Sequence, residues 1–391
     1  MSRKILQALM VAALCAACQS EGTAQPEASE GNDQAEAKDG PPFAVTEVAD
    51  FDTPWAMAFL PGSGVPLTNM ALLTEKEGRL WLVDVTDGKR TAVAGVPAVV
   101  AAGQGGLGDV MPHPDFAGNQ RVYLSYVEGG SGGTSGAVLG YGTLDLSNAA
   151  APALRDFKVI WRQEPKVSGN GHFSHRIAFG PDGFLYLTSG DRQKMAPAQD
   201  FGGKLGKVLR LTHEGAPAPG NPFASRGGVA AEFWSIGHRN GLGLQFAPDG
   251  RLWEAEMGPE GGDEINLILP GRNYGWPRAS NGSHYGGEAI PDHKSGDGFE
   301  APKVWWTPVI SPGALLIYTR DKFPQWKGDG LIRALSGEAL IRVDIDGDQA
   351  KKADLWPMNA RIRAVDQGPD GSVYLLQDGR SGGRLLRLDP K

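Results

Sequence analysis

A tight Pro-Asp-Gly turn, followed by a short strand-like run with a central aromatic residue, recurs along this chain. The copies are GPDGFLYLTSGD from Gly180, APDGRLWEAEMG from Ala247 and GPDGSVYLLQDG from Gly368, with looser copies HPDFAGNQRVYLSY from His113 and EGRLWLVD from Glu77. The prolines at 114, 181, 248 and 369 are 67, 67 and 121 residues apart. Since the last spacing is about twice a repeat, we expect one diverged copy between Pro308 and Leu331.

These repeats predict the fold class. Apolar residues at helical spacing are scarce, whereas 56 glycines and 28 prolines divide the chain into short apolar runs. A repeat of about 60 residues over about 350 residues gives six units, and small sheets of this kind bury their faces against neighbouring sheets around an axis. We therefore predict an all-β chain with one six-bladed β-propeller over residues 42–391. A pair of β-sandwiches is the alternative, which the repeat spacing disfavours.

The N-terminal segment is typical of an exported protein. Basic residues precede the apolar run ILQALMVAALCAAC, which is too short to span a bilayer as a permanent helix. Small residues before Cys18 resemble the cleavage site of bacterial lipoproteins. We predict a lipoprotein-type signal peptide over residues 1–18, ending at a lipidated Cys18, and an acidic disordered tether over 19–41. Ordinary secretion is the alternative, because Cys15 lies where an aliphatic residue is usual.

Either interpretation places the protein outside the cytoplasm. Gln19 after the cysteine favours the outer membrane, so the expected location is the periplasm, with a lipid anchor in that membrane. Cys15 and Cys18 are the only cysteines, so we expect neither a disulfide nor a thiolate metal site in the folded domain. The net charge of −7 and the absence of a clustered basic stripe indicate no nucleic-acid partner.

Three short motifs match known patterns without the context that their chemistry requires. GQGGLG at 103–108 has dinucleotide-binding spacing, but Pro112 and Pro114 prevent the helix that must follow. GGSGG at 129–133 lies in a glycine-serine loop without a strand-turn-helix. The third motif is the pair His172 and His175, whose spacing suits a metal site, but the sequence offers no third ligand of the kind that zinc requires.

Polar residues in glycine-rich loops form a more informative set. In a propeller, the loops on one face converge on the axis, so residues distant in sequence can share one site. The set comprises Gln104, His172, Arg239, Asn240, Gly258, Pro259, Arg361 and Arg363. Arginine binds carboxylates in bidentate fashion and stacks on flat rings, so the set favours a polyanionic ligand with planar carbonyls.

Longer stretches resemble the soluble quinoprotein sugar dehydrogenases, in particular the bacterial aldose sugar dehydrogenases. Those enzymes are six-bladed propellers that use pyrroloquinoline quinone (PQQ) and calcium. The resemblance covers nearly all of the chain after the tether, and its most specific part is GPEGGDEIN followed by NYGWP. The other stretches are DFDTPWAMAFLP, GQGGLGDVMPHPDF, GNGHFSHRIAFGPDG, GKLGKVLRL, WSIGHRNGLGLQF and RIR at 361–363.

The resemblance implies a role for each member of the set. His172 would be the catalytic base, which takes the proton of a sugar's anomeric hydroxyl while hydride passes to the quinone. Arg239 and Asn240 would lie near the reacting quinone oxygen. The positions matched to contacts with the cofactor's carbonyls and carboxylates are Gln104, Arg361 and Arg363.

The resemblance also implies metal ligands. The backbone carbonyls of Gly258 and Pro259 would hold the active-site calcium. Glu264 and the carbonyl of Tyr274 lie where some relatives bind a second, structural calcium. The alternative for Glu264 is a turn cap within DEINL.

Some positions depart from the family pattern. Ser336 replaces a lysine that usually contacts the cofactor, and Met257 and Gly171 replace residues that are polar in some relatives. In glucose-specific relatives an aspartate precedes the histidine and orients it, which Gly171 cannot do. His175 matches no family role, so we predict that it supports the structure.

The expected function is therefore oxidation of aldoses to lactones, with electrons passed to a respiratory acceptor. The alternative is an envelope-tethered propeller that binds a sugar or protein partner without redox activity. A calcium-dependent lactonase would need several side-chain oxygens around one metal, whereas the Gly258-Pro259 loop supplies carbonyls.

Overall fold

Short strands joined by turns and loops dominate the computed structural model, which describes residues 40–62 and 67–391. The predicted signal peptide and all but the last two residues of the predicted tether lie outside the described residues. Among the described residues, no helix has the length and apolar character that crossing a membrane would require.

The first half of the domain contains β1 (Phe43–Asp50), β2 (Pro54–Phe59), β3 (Met70–Glu75), β4 (Arg79–Asp84), β5 (Arg90–Ala92), β6 (Leu107–Pro112), β7 (Arg121–Gly129), β8 (Ser135–Asp145), β9 (Ala153–Arg162), β10 (Ser174–Phe179), β11 (Leu185–Ser189), β12 (Lys207–Leu211) and β13 (Phe233–Ile236). The second half contains β14 (Gly241–Phe246), β15 (Leu252–Glu256), β16 (Glu260–Gly261), β17 (Asp263–Ile268), β18 (Gly282–Ser283), β19 (Val304–Trp306), β20 (Pro312–Ile317), β21 (Gly330–Ala334), β22 (Ala339–Asp346), β23 (Gln349–Pro357), β24 (Ile362–Gln367), β25 (Val373–Gln377) and β26 (Arg384–Pro390). The helices are α1 (Phe116–Asn119) and short 3-10 turns at Leu67–Asn69, Ser131–Gly133, Ala196–Gln199, Ala224–Arg226, Gly228–Glu232, Pro324–Trp326 and Gly379–Ser381.

Six four-stranded sheets form the blades of a propeller. From the inner strand outward they are β2-β3-β4-β5, β6-β7-β8-β9, β10-β11-β12-β13, β14-β15-β17-β19, β20-β21-β22-β23 and β24-β25-β26-β1. Neighbouring inner strands contact one another around the axis. β1 pairs with β26, for example Thr46 with Arg387, so the first strand completes the last blade and closes the ring. The prediction of an all-β, six-bladed propeller is confirmed.

The core lies between the blades, because successive side chains of a strand point to opposite faces of its sheet. In the first blade, Leu72 packs in a cluster with Leu124 of the second blade. Its neighbour Leu73 packs in a cluster with Leu376 of the sixth blade. All four leucines are fully buried. Each blade thus stabilises both of its neighbours, and no blade has a complete core of its own.

The Pro-Asp-Gly turns join the inner strand to the second strand in the third, fourth and sixth blades. Asp182 Oδ1 accepts the backbone N–H of Phe184 at 3.3 Å, and Asp370 Oδ1 accepts that of Ser372 at 3.1 Å. Gly183 has a φ of +78°, which glycine adopts readily. The aspartate and glycine of the repeat therefore build the turn itself.

The remaining copies of the repeat differ in their positions. The copy from His113 lies at the equivalent connection of the second blade, but the copy from Glu77 spans the next turn of the first blade, between β3 and β4. In the fifth blade the connection from β20 to β21 has diverged, as the spacing predicts. There Phe323 stacks on Trp326 with ring centroids 4.0 Å apart.

Candidate active site

The loops that precede the inner strands lie at the end of the propeller opposite to the Pro-Asp-Gly turns. At this end a central cavity of about 550 Å³ lies on the axis. The predicted residues that line it are Gln104, Asn240, Arg361 and Arg363. A side cavity of about 270 Å³ adjoins it and shares Gln104, Met257, Tyr285 and Ser311 with it. The predicted residues that line the side cavity include His172, Arg239, Gly258 and Pro259. The structure thus brings the whole predicted set to one end of the axis.

His172 is held by its imidazole and by its backbone. Nδ1 lies 2.7 Å from Asp191 Oδ1, and the backbone N–H donates to Gln104 Oε1 at 2.7 Å. Because a carboxylate oxygen accepts the Nδ1 proton, Nε2 carries the free lone pair. Burial lowers the pKa of His172, and Arg239 lowers it further, while Asp191 opposes both effects. His172 is therefore a neutral imidazole near neutral pH, suited to accept a proton.

Asp191 is the principal site residue that the sequence analysis missed. It is completely buried, and its Oδ2 accepts a hydrogen bond from Trp276 Nε1 at 2.8 Å. Burial opposes its ionisation, but the hydrogen bonds, first that from His172, hold its pKa below the usual value. It lies two residues after the end of β11, at the end of the repeat GPDGFLYLTSGD. The loop of His172 precedes β10, and Asp191 follows β11, so both lie at the same end of the third blade. An acidic residue at this position is the sequence signal that could have identified Asp191. Asp191 orients the imidazole, which Gly171 cannot do.

The loop around His172 has an uncommon backbone conformation. His172, Ser174 and His175 have φ values of 50°, 57° and 66°, in the left-handed region that non-glycine residues rarely occupy. Arg192 stabilises this loop from below: its Nε donates to Gly171 O at 2.9 Å, and its guanidinium lies 3.7 Å from the centre of the Phe173 ring. The position of the histidine thus depends on neighbouring parts of the fold.

His175 differs from His172 in every contact. It is buried, its Nδ1 lies 2.8 Å from Ser125 Oγ, and its ring stacks on Trp55 at 5.2 Å. Burial lowers its pKa to about 3. A Cβ atom at Gly108 would lie 1.9 Å from the imidazole, so this glycine makes room for the ring. These contacts are those of a packed residue, although the ring also lines the central cavity.

Arg239 and Asn240 enter the site from the loop before β14. Arg239 Nη1 donates to Met257 O at 2.9 Å, and Nη2 donates to the hydroxyl of Tyr285 at 3.1 Å. Asn240 Oδ1 accepts a hydrogen bond from Ser174 Oγ at 3.1 Å. Both side chains are thus fixed between the loop of His172 and the Gly258-Pro259 loop.

The Gly258-Pro259 loop is shaped by a buried carboxylate. Asp263 Oδ1 accepts the backbone N–H of Gly258 at 2.8 Å, and Oδ2 accepts those of Ile310 and Ser311, each at 2.7 Å. Burial raises the pKa of Asp263 to about 6. A Cβ atom on Gly258 would lie 2.2 Å from the carbonyl of Gly262, so only glycine fits at this position.

Behind this loop, two buried carboxylates and a partly buried one lie on one face of β15 and β17. Glu256 pairs with Glu264 across the strands, and Glu254 pairs with Asn266. His238 Nδ1 lies 3.0 Å from Glu254 Oε2 and 3.1 Å from Glu256 Oε2. Burial would lower the pKa of His238, but Glu254 and Glu256 raise it to about 10.

This acidic group offers the ligands that a hard divalent cation prefers. Glu254 is completely buried, and it shares His238 with Glu256, so that two carboxylates face one cationic side chain. Glu264 and Tyr274 line a narrow cleft beside it together with Gly258 and Pro259. Carboxylate and carbonyl oxygens are the usual ligands of Ca²⁺, so the residues present fit calcium.

Arginines surround the axis at the central cavity. Arg363 Nε donates to Asp378 Oδ2 at 3.0 Å, and Arg361 Nη1 donates to Leu335 O at 3.3 Å. The sequence analysis did not identify two further buried arginines, Arg176 and Arg333. The cationic character of the site is therefore greater than the sequence motifs indicate.

Comparison with known proteins identifies the family of this chain. The family described as Glucose / Sorbosone dehydrogenase matches residues 51–387. Aldose sugar dehydrogenase YliI from Escherichia coli (strain K12) is 40% identical over 347 residues, which cover 87% of this chain and 91% of that protein.

Solved structures give the same result. The apo-form of the soluble aldose sugar dehydrogenase from Escherichia coli has a TM-score of 0.83 at 39% identity, covering 89% of this chain and 100% of that chain. The PQQ-bound form of aldose sugar dehydrogenase from Streptomyces coelicolor has a TM-score of 0.72 at 30% identity, covering 90% of this chain and 100% of that chain. The chain belongs to the glucose/sorbosone dehydrogenase family.

Proposed function

We propose that this protein is a PQQ- and calcium-dependent dehydrogenase that oxidises aldose sugars to lactones. The observation that carries the proposal is a buried histidine, oriented by Asp191, beside a cavity lined by arginines. The related aldose sugar dehydrogenase from Streptomyces coelicolor is described in a PQQ-bound form, which supports the choice of cofactor.

His172 is the general base of the proposed reaction. Its Nε2 accepts the proton of the anomeric hydroxyl, and Asp191 stabilises the imidazolium that forms. Arg239 lowers the pKa of the resting imidazole and thereby keeps it neutral before the substrate binds. PQQ supplies the acceptor for the hydride when it is bound, and calcium supplies a Lewis acid.

The cofactor is bound by side chains from several blades. Gln104, Arg361 and Arg363 would contact its carbonyl and carboxylate groups, and Arg239 and Asn240 would lie near its reacting oxygen. Arg239 is already fixed through Met257 O and Tyr285, so little side-chain entropy is lost when the ligand binds.

Two calcium positions complete the proposed site. The carbonyls of Gly258 and Pro259 hold the ion next to the cofactor. Glu264 and the carbonyl of Tyr274 hold a second ion that stabilises the structure. Glu254 and Glu256 share a single cationic partner, His238, and the excess of buried negative charge supports a cation behind the loop.

We also propose that the enzyme works in the periplasm, anchored to the outer membrane through a lipid on Cys18. A tether over residues 19–41 keeps the propeller near the membrane, and the electrons pass to a respiratory acceptor.

One observation favours a second function. Ser336 is uncharged and exposed, at the position where relatives usually have a lysine that contacts the cofactor. A propeller that had lost PQQ would bind a sugar or a protein partner without redox chemistry.

Titration with PQQ separates the two functions. The purified protein is titrated with and without calcium, and reduction of an artificial electron acceptor by aldoses is then measured. Binding that requires calcium, together with sugar-dependent reduction, supports the dehydrogenase. Absence of binding at micromolar PQQ in the presence of calcium supports the non-redox function.

A further inference from the structure

Arg333 is a buried cation in the wall of the central cavity. It lies in β21 and is completely buried. Its Nη1 donates to the carbonyl of Ile362 at 3.1 Å, whereas its Nε has no partner among the described residues. A Cβ atom at position 313 would lie 1.8 Å from Nη1, so Gly313 provides the space that the guanidinium occupies.

The positive charge of Arg333 is not balanced by a direct carboxylate contact. Arg176 pairs with Asp109, and Arg363 pairs with Asp378. Arg333 has no ion pair within the described part of the chain. Its pKa lies well below the usual value because of burial and the neighbouring charges of Arg176 and Arg363. These three arginines and two aspartates therefore carry a net charge of +1 below the cavity.

A buried charge without a partner is among the most costly features of a folded protein. The central cavity is the space beside Arg333 in which a ligand can lie. An anionic group bound there would compensate the charge. The need for a negative charge near Arg333 follows from its burial and does not depend on the exact pose of the ligand.

Ser336 lies close to Arg333 in the sequence and bears on the role of the buried charge. Ser336 lies three residues after Arg333, at the exposed rim, and its Oγ is 2.7 Å from Ser311 Oγ. It contributes no charge to the site. The positive charge that relatives usually present from this rim is absent here, and the buried charge of Arg333 lies in the same cavity wall.

We propose that Arg333 supplies the positive charge that binds a carboxylate of PQQ, in place of the lysine that is absent at position 336. The proposal rests on the proposed function. It gives a role to a buried arginine in the cavity wall that has no direct ion pair among the described residues, and it makes a serine at the rim compatible with cofactor binding.

Two properties should change in opposite directions in Arg333→Met. Loss of a charge-assisted contact is expected to weaken PQQ binding by about 10- to 100-fold. The melting temperature of the cofactor-free protein should stay the same or rise, because the variant no longer buries an unpaired cation. A purely structural Arg333 gives the reverse result: a lower melting temperature and unchanged PQQ affinity.

The experiment measures quenching of tryptophan fluorescence by PQQ at saturating calcium, with thermal melts of the cofactor-free protein. Arg155→Met is the control for net charge, because Arg155 is exposed and far from the cavity, on β9. It should bind PQQ as the wild type does. Arg333→Met/Ser336→Lys should recover at least 10-fold of the lost affinity, since the lysine restores a cation at the rim.

Ser336→Lys alone provides a test that does not disturb the core. If Arg333 already supplies the charge, this variant binds PQQ within about 3-fold of the wild type. A 10-fold or greater gain overturns the inference, as does wild-type affinity in folded Arg333→Met. Failure of the wild type to bind PQQ with calcium instead overturns the proposed function, so the two failures are distinguishable.

Discussion

Replacement of Asp191 by asparagine tests the orientation of the proposed base. Both carboxylate oxygens of Asp191 accept N–H groups: Oδ1 from His172 Nδ1 and from the backbone of Gln193, each at 2.7 Å, and Oδ2 from Trp276 at 2.8 Å. Asparagine has only one such oxygen. In either orientation its NH₂ group therefore faces a donor, or forces His172 into the tautomer whose Nε2 is protonated and cannot act as a base.

The magnitude follows from this contact. A hydrogen bond to a charged group contributes about 1.5–3 kcal/mol, which corresponds to about a 10- to 150-fold decrease in turnover. The pH profile should also change. Asp191 raises the pKa of His172, so its removal lowers that pKa. Because the base must be unprotonated, the acidic limb of kcat/KM moves to lower pH in Asp191→Asn.

The assay measures kcat and kcat/KM between pH 4 and 9 with an aldose, PQQ, calcium and an artificial acceptor. Asp200→Asn is the matched control, because Asp200 is an exposed aspartate that accepts a backbone hydrogen bond from Gly202 at 3.0 Å. PQQ affinity and the melting temperature of Asp191→Asn establish that the site is formed. Turnover within about 3-fold of the wild type, with an unchanged acidic limb, would refute the assigned role of Asp191.

Three further outcomes are expected. His172→Ala should lower turnover by about 10²- to 10⁴-fold and leave PQQ binding largely intact, whereas His175→Ala should mainly lower the melting temperature; equal losses of turnover in both folded variants would contradict this division. Removal of calcium by a chelator should lower the melting temperature of the wild type by more than that of Glu264→Gln, as measured by calorimetry, and equal shifts would argue against an ion at Glu264. Cys18→Ser should move the protein from the membrane fraction to the soluble periplasm, and a soluble wild type with an unmodified mature N-terminus would disprove lipidation.

The sequence determined the fold because the repeat is a local signal. The aspartate and glycine of each Pro-Asp-Gly turn form their own hydrogen bond and backbone conformation, as Asp182 and Gly183 show. In the strands that follow these turns, successive side chains point to opposite faces of the sheet, and both faces must be buried against a neighbouring sheet. Their number and spacing therefore predicted six blades. The copy from Glu77 was assigned to an equivalent turn, and its different position shows that a short strand pattern does not identify its place within a blade.

The sequence also identified the loops of the candidate site, since motifs such as GPEGGDEIN and GHRN are contiguous. The sequence did not predict which side chains from separate segments contact each other. Asp191 reaches His172 from 19 residues away, because β10 and β11 are adjacent strands of one blade and the two residues lie at the same end.

Only the tertiary structure revealed that Arg333 has no direct ion pair among the described residues and that Glu254 lies beside His238 and Glu256. The cost of a buried charge depends on which groups the fold places within a few ångströms of it, and on the removal of water. In a propeller these neighbours come from different blades and from loops distant in the chain. The pattern of turns and strands specifies the ring, and the balance of charge around its axis is decided only when the ring closes.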